Sequence, residues 1–222
     1  MIRHTKIARD TAVKARTQAM VTLKALIVTV PEQLREQLQG LSKMALIERC
    51  AGLRPGTIGD VLASAKHAMR ALARRWSYLN DEIKAHDSLP ADLTTAHAPD
   101  LVQAFGIGSD TAAEVLVVVG DNPERIRSQA AFAKLAGVCP VPASSGKTTR
   151  HRLNRGGHRQ LNSALYRVVI VRMRFHQPTT DYVTRRTAEG KTKQEIIRCL
   201  KRYLAREIYQ AVKAKDTAPS PA

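Results

Sequence analysis

Seven apolar residues between Leu62 and Ile83 set the first constraint on the fold. Leu62, Ala65, Met69, Leu72, Trp76, Leu79 and Ile83 follow one another at spacings of 3, 4, 3, 4, 3 and 4. That alternation is the seam of a heptad repeat, which a helix buries along one side and a strand cannot reproduce. Lys66, Arg70, Arg74, Arg75, Asp81, Glu82 and Lys84 fall off the seam, as do His67 and His86, and read as solvated. Three heptads serve two arrangements equally well: an antiparallel hairpin with an earlier helix of the same chain, or a short coil between two chains.

The rest of the chain extends this helical reading. Residues 3–28 form one helix, with Ala12, Val13, Ala19, Leu23 and Leu26 at helical spacing. Pro31 suits the first turn of a second helix, PEQLREQLQGL, and the RPG at 54–56 is a break. Pro90 and ADLTTAHAPD read as a linker. The expected organisation is a helical coiled-coil segment over 1–90, a linker over 91–99, a second domain over 100–213 and a disordered tail over 214–222. Residues 100–120 read as helix, GIG turn, helix. A loop then leads into a short helix ending near Gly137. From Gln160 to Phe175 a helix buries Leu161, Leu165, Val168, Val169 and Met173, and Pro178 stops it. Thr192 and Glu195 make a capping-box pattern, opening a last helix with Ile196, Leu200, Leu204, Ile208 and Val212 inward. The expected fold class is mainly α. An aromatic content of 4% is too low for a typical β-sandwich.

Charge narrows the function. The chain carries 36 Lys and Arg against 19 Asp and Glu, a net of +17. Residues 1–100 hold 15 basic and 10 acidic groups, and residues 101–222 hold 21 and 9, so the excess lies in the second half. From Arg125 to Thr180 there is no Asp or Glu, while the same stretch holds 11 Lys or Arg. Solvated surfaces interleave both signs, so a run without acids indicates a surface facing phosphate. Its densest part, Lys147, Arg150, His151, Arg152, Arg155, His158 and Arg159, lies in CPVPASSGKTTRHRLNRGGHR, a long loop or irregular ribbon over 139–159. Cys50, Cys139 and Cys199 form no CxxC pair and no disulfide framework, so no metal site is expected in this chain. No signal peptide pattern or membrane-length apolar run is present. The expected location is the cytoplasm, in association with the nucleoid, with no membrane partner.

Three motifs within this frame bear on chemistry. Gly106-Ile107-Gly108, with Ala112 four residues on, has the pattern of a helix-hairpin-helix. Its glycines would let backbone N–H groups at the next helix's start face a phosphate, with Ser109 or Asp110 as cap. The same pattern also fits a plain interhelical turn. Ser144-Ser145-Gly146-Lys147-Thr148 contains GKT, but Val141 stands where a phosphate-binding nucleotide loop needs glycine, and Pro140 and Pro142 interrupt any leading strand. The serines are then either loop residues or a nucleophile among cations that can stabilise a pentacovalent phosphorus. No carboxylate in the run can act as base or metal ligand, so the segment would supply only part of a site.

The GIG turn, FAKLAGVCP from Phe132 to Pro140, Ser145-Gly146-Lys147, Gly156-Gly157-His158-Arg159 and the helix opening at Leu161 to Leu165 together resemble one family. It is the IS one-ten family of insertion-sequence transposases, the RNA-guided DEDD-type recombinases. The resemblance is strong over 98–213 and weaker over 3–90. It implies DNA transposition by recombination, with Ser145 as nucleophile and the adjacent Ser144 as alternative. Lys147, Arg150, Arg152, Arg155, His158 and Arg159 would hold phosphates, and Gly106 and Gly108 would shape a backbone-binding turn. It also implies a RuvC-like domain with four acidic residues that bind Mg²⁺, completing a composite site across protomers. This chain starts at the coil, so that domain and its Mg²⁺ are expected elsewhere, in a truncated or split arrangement, and the chain alone is not expected to cut DNA. Partners implied are DNA, a guide RNA, and a second copy or a full-length transposase held through the coil. The alternative function is a non-catalytic DNA- or RNA-binding fragment that regulates the full-length enzyme. Scarce aromatics disfavour single-strand stacking as its mode.

Overall fold

The computed structural model describes residues 1–120, 123–144, 146–147 and 151–216. Among these the architecture is α-helical apart from one two-stranded ribbon. The chain divides into two compact units, Arg3–Leu89 and Pro90–Ala222.

The first unit is built from α1 (Ile2–Thr29), α2 (Glu32–Leu38), α3 (Lys43–Ala51) and most of α4 (Val61–His97). Leu23 and Ile27 of α1, Leu34 and Leu38 of α2, Leu46, Ile47 and Cys50 of α3, and Met69, Ala73 and Trp76 of α4 close one core. Of the two arrangements open to the heptad seam, the chain uses the hairpin within itself. Arg9 Nε donates to Asp87 Oδ1 at 2.5 Å and Arg16 Nη1 to Asn80 Oδ1 at 2.7 Å. Moving seven residues forward on α1 thus moves seven back on α4, the signature of an antiparallel pair. The Arg16 guanidinium and the Lys43 ammonium also lie over the Trp76 ring, 5.6 and 4.7 Å from its centroid. Along the seam Met69, Trp76 and Ile83 are buried, while Leu62, Ala65 and Leu72 are half-buried and Ala73 joins the core instead. That drift is what a 3.6-residue turn imposes on a 3.5-residue pattern.

The linker expected over 91–99 is instead helix. Residues 91–97 continue α4, which ends only at Ala98, with φ −152° and ψ 65°. Ala98 precedes Pro99, and a residue before proline is pushed out of the α region. Residues 91–97 contain no glycine or proline to end the helix earlier, and Thr94 is fully buried.

The second unit continues with α5 (Pro99–Gln103), α6 (Ser109–Val119), α7 (Gln129–Leu135), strands β1 (Val141–Pro142) and β2 (His151–Arg152), α8 (Arg159–Phe175), α9 (Gln177–Ala188) and α10 (Lys193–Asp216). Leu161, Leu165, Val168 and Val169 of α8 are sealed against Val115 of α6, Phe132 of α7 and Ile196, Leu204 and Ile208 of α10. The inward faces read from periodicity are the buried ones, with Met173 and Val212 at the margin. Pro178 does end α8, at His176, but it also sits in the first turn of α9, where its missing N–H costs nothing. α9 escapes a periodicity reading because its segment is polar and Thr179 is its one buried residue among those described. The last helix runs through 214–216 of the expected tail to Asp216, and residues 217–222 lie outside the described residues.

The capping box at the start of α10 forms as its pattern indicates. Thr192 N donates to Glu195 Oε2 at 2.9 Å and Glu195 N to Thr192 Oγ1 at 3.4 Å. Accepting from the Thr192 backbone and hydroxyl holds the Glu195 carboxyl below the ordinary glutamate value of 4.5. A depressed carboxylate contributes stability above its unfolded value and loses it as pH falls through the folded value. In melting curves followed from about pH 7 to about pH 3, wild type loses this contribution below the usual glutamate range, and Glu195→Ala lacks that step. Identical pH profiles would show that the box does not couple to stability.

Candidate nucleic-acid interface

The basic loop over 138–157 leaves the end of α7 and returns to the start of α8 through a neck where two backbone segments touch. Gly137 and Gly157 both adopt positive φ, 67° and 91°. A methyl group on Gly137 would stand 2.5 Å from the Gly156 carbonyl oxygen, and one on Gly157 would stand 2.5 Å from Gly137 N and 2.7 Å from its Cα. Conformation and space therefore both require glycine. His158 N donates to the Leu135 carbonyl at 2.6 Å, and Asn162 Nδ2 donates to the carbonyls of Ala136 and Gly137 at 2.8 and 3.1 Å. These bonds satisfy carbonyls that the end of α7 leaves open.

Above the neck the loop is a ribbon. β1 pairs antiparallel with β2, with Val141 opposite Arg152 and Pro142 opposite His151. Asn154 ties the return path to the outgoing one. Its Oδ1 accepts from Gly156 N at 2.9 Å and its Nδ2 donates to Cys139 Sγ at 3.0 Å.

The residues expected to form the site divide into three groups. Ser145 and Arg150 lie outside the described residues. Ser144 and Lys147 are exposed beyond β1, and Arg152 and Arg155 are exposed on and after β2. His158 and Arg159 open α8. His158 Nδ1 stands 3.3 Å from Leu161 N and 3.5 Å from Glu114 Oε1. One nitrogen serves one of these at a time: bare, it accepts from Leu161 as the helix cap; protonated, it faces the Glu114 carboxylate. Since 3.3 Å is the shorter contact and the helix start needs an acceptor, the capping role describes this geometry better.

The GIG turn stands apart from the ribbon. A methyl on Gly106, whose φ is 79°, would meet Val168 and Arg172 side-chain carbons at 3.5 and 3.6 Å, so the turn packs on the second half of α8. Val168 is nine residues beyond Arg159, roughly 13 Å along the helix. Gly108 is the N-cap of α6 and no side chain caps that helix. Ser109 and Asp110, read as its cap, are the first helical residues instead. Asp110 pairs with Arg167 at 3.0 Å and leaves a carboxylate in the first turn.

A basic cleft beside the ribbon escapes a reading of the sequence. It has a volume of about 690 Å³ and lies between the ribbon's base and α9–α10. Arg152 and His151 line one wall, and Arg198, Lys201 and Arg202 of α10 line the other, with Arg186 and Lys191 at the α9–α10 junction. Its one carboxylate among the described residues, Glu195, is committed to the capping box. Lys201 is only 8% exposed and its Nζ donates to Asn162 Oδ1 at 2.9 Å. Burial pushes its pKa below the usual lysine value, and the charge of Arg198 adds to that. These α10 cations lie between Glu195 and Glu207 in the chain, and the helical turn brings Arg198, Lys201 and Arg202 onto one wall. Among the described residues no three His, Cys, Asp or Glu side chains converge to hold a metal ion. Nor is any described helix long and apolar enough to cross a membrane.

Comparison with known proteins bears on this same unit. Residues 100–185 match the model of a family described as Transposase IS116/IS110/IS902 family. The chain is 32% identical over 140 residues to the Insertion element IS110 uncharacterized 43.6 kDa protein of Streptomyces coelicolor, covering 62% of this chain and 33% of that protein. It is 32% identical over 111 residues to the Pilin gene-inverting protein of Moraxella lacunata, covering 49% of this chain and 34% of that protein. The chain thus spans about a third of the length of these relatives.

The neck makes a sharp contrast testable. Gly157→Ala is expected to destabilise the protein by about 1–3 kcal/mol from backbone strain alone, before any clash. Gly108→Ala, at φ −84° with open space around it, is expected to cost less than about 1 kcal/mol. Urea denaturation of the two variants checks the order, and equal losses would mean that the neck is not a constraint.

Proposed function

Since residues 100–185 belong to the transposase IS116/IS110/IS902 family, we propose that this chain binds DNA through its basic ribbon in DNA transposition or recombination, with Ser145 as the nucleophile. The observation that carries the reading is the ribbon itself. A ribbon within a run that has no carboxylate from Arg125 to Thr180 is raised on a glycine neck at Gly137 and Gly157, and the described residues on either side of Ser145, namely Ser144 and Gly146, are exposed.

In this reading the Ser145 hydroxyl oxygen bonds to a backbone phosphorus as that phosphorus releases a deoxyribose oxygen. The product is a phosphoserine link between protein and DNA. The hydroxyl proton needs a base and the departing oxygen needs an acid. The ribbon has no carboxylate for either, and the described residues do not fit a magnesium site. In this reading the acid–base groups and any metal come from another domain, the RuvC-like one that the family resemblance implies. Lys147, Arg150, Arg152, Arg155 and Arg159 act on phosphate charge, and the Gly106–Gly108 turn contributes at most a separate backbone contact. Ser144 is the alternative nucleophile. A guide RNA and association with a second copy or a full-length transposase complete the proposal.

A second reading, DNA binding without chemistry, is favoured by the same lack of a carboxylate on the ribbon. The test uses the purified chain, Mg²⁺, a labelled DNA carrying an element junction and its RNA, with or without an added RuvC-like domain. A covalent protein–DNA adduct that needs the added domain and disappears in Ser145→Ala is the expected result. An adduct that persists in Ser145→Ala and disappears in Ser144→Ala moves the role to Ser144. Tight, salt-sensitive binding with no adduct in any mixture establishes the binding-only reading.

A further inference from the structure

The cleft between the ribbon's base and α10 has an unusual occupant. Lys201 is buried without an acidic partner. Its one hydrogen bond goes to a neutral amide, Asn162 Oδ1, and no carboxylate pairs with it among the described residues. A buried ammonium is costly unless an anion offsets it. The side-chain charge that acts on it, Arg198, is of the same sign. Asn162 is itself fixed, because its Nδ2 is spent on the carbonyls of Ala136 and Gly137. The neck that holds the ribbon therefore also holds the ammonium in place and leaves its remaining N–H donors for the cleft.

The surroundings say what kind of anion fits. Arg152 of β2 and Arg198 of α10 line the same cleft, and guanidinium groups match the paired oxygens of a phosphate. Glu195, held by Thr192 and acted on by the charges of Lys191 and Arg198, offsets part of this charge, but the cleft's cations outnumber it. The family match ends at residue 185, so no part of the α10 wall lies within it. We propose that this cleft is a seat for one phosphodiester group of the nucleic-acid backbone, with Lys201 as its buried ligand and Arg198 and Arg152 as its outer ones. The proposal rests on the reading of the ribbon as the DNA-binding element and gives it a second, fixed point of contact. Four residues separate Pro140, on the cleft wall, from Ser144, a reach of at most about 14 Å.

The test measures binding to a duplex DNA of arbitrary sequence by fluorescence anisotropy across a salt series, with a structured RNA of equal length in parallel. Each phosphate contact contributes about one to the slope of log affinity against log salt. Lys201→Met and Arg198→Gln are each expected to lower the DNA slope by about one and to weaken binding on any sequence. Methionine fills the place of the buried lysine stem, and circular dichroism confirms the fold. Arg198→Gln, at a half-buried surface position, carries the test if Lys201→Met does not fold. Arg167→Gln, an arginine outside the cleft and held by Asp110, is expected to leave the slope unchanged. A slope lowered for DNA alone, or for RNA alone, assigns the phosphodiester to that strand type. Wild-type DNA binding with a steep slope that Arg198→Gln does not alter would overturn the cleft while leaving the ribbon reading intact. A slope that Arg167→Gln lowers equally would also overturn it, since overall charge would then be sufficient. Absence of salt-dependent binding by the wild type would overturn the DNA reading and the cleft with it.

Discussion

The second unit is organised around a contact that admits no side chain. At the neck, the backbone of residues 156–158 lies against the end of α7 so closely that a single methyl at Gly137 or Gly157 would overlap main-chain atoms. Everything functional follows from that approach. The neck sets where α8 begins, and α8 is the helix that α6, α9 and α10 pack upon. It presents the Ala136 and Gly137 carbonyls to Asn162, and Asn162 in turn orients Lys201. It also joins the two ends of the ribbon, so a segment with almost no apolar residues of its own is anchored to a sealed core.

The electrostatics of this unit rest on an imbalance that the fold maintains. Its acidic side chains are drawn into structural roles away from the ribbon: Asp110 holds Arg167, Glu207 holds Arg172, and Glu195 closes the start of α10. Exposed pairs of this kind add little stability. Asp110 and Glu207 are thereby held outside the cleft, and Glu195 is the one carboxylate among the described residues that lines it. A surface with a strong excess of one sign of charge and a buried cation at its base gains little stability from that arrangement.

Much of this is legible in the amino-acid sequence. The 3–4 spacing from Leu62 to Ile83 marks a long helix, the 3.6-residue periodicities mark the buried faces of α8 and α10, and the Thr192–Glu195 pattern marks a cap that forms as written. Each is a local signal whose cause lies within a few residues. Other features depend on neighbours distant in sequence. α9 is polar and has no periodic face to detect. α4 passes through Pro90 because nothing after it stops a helix until Pro99. The cleft is assembled from β2 and α10, whose charges are about fifty residues apart in the chain. The glycines of the loop are visible as glycines. Only their mutual contact shows why two of them are required.

Among the described residues the ribbon's ladder pairs Val141 with Arg152 and Pro142 with His151, and the base of the ribbon is secured at the neck. The segment beyond that ladder is consequently a cassette. Lengthening such a segment costs little, roughly 0.6 kcal/mol for each doubling, and the anchored base does not transmit the change to the core. A change of length between Pro142 and His151 would thus leave the helices beneath to fold as before.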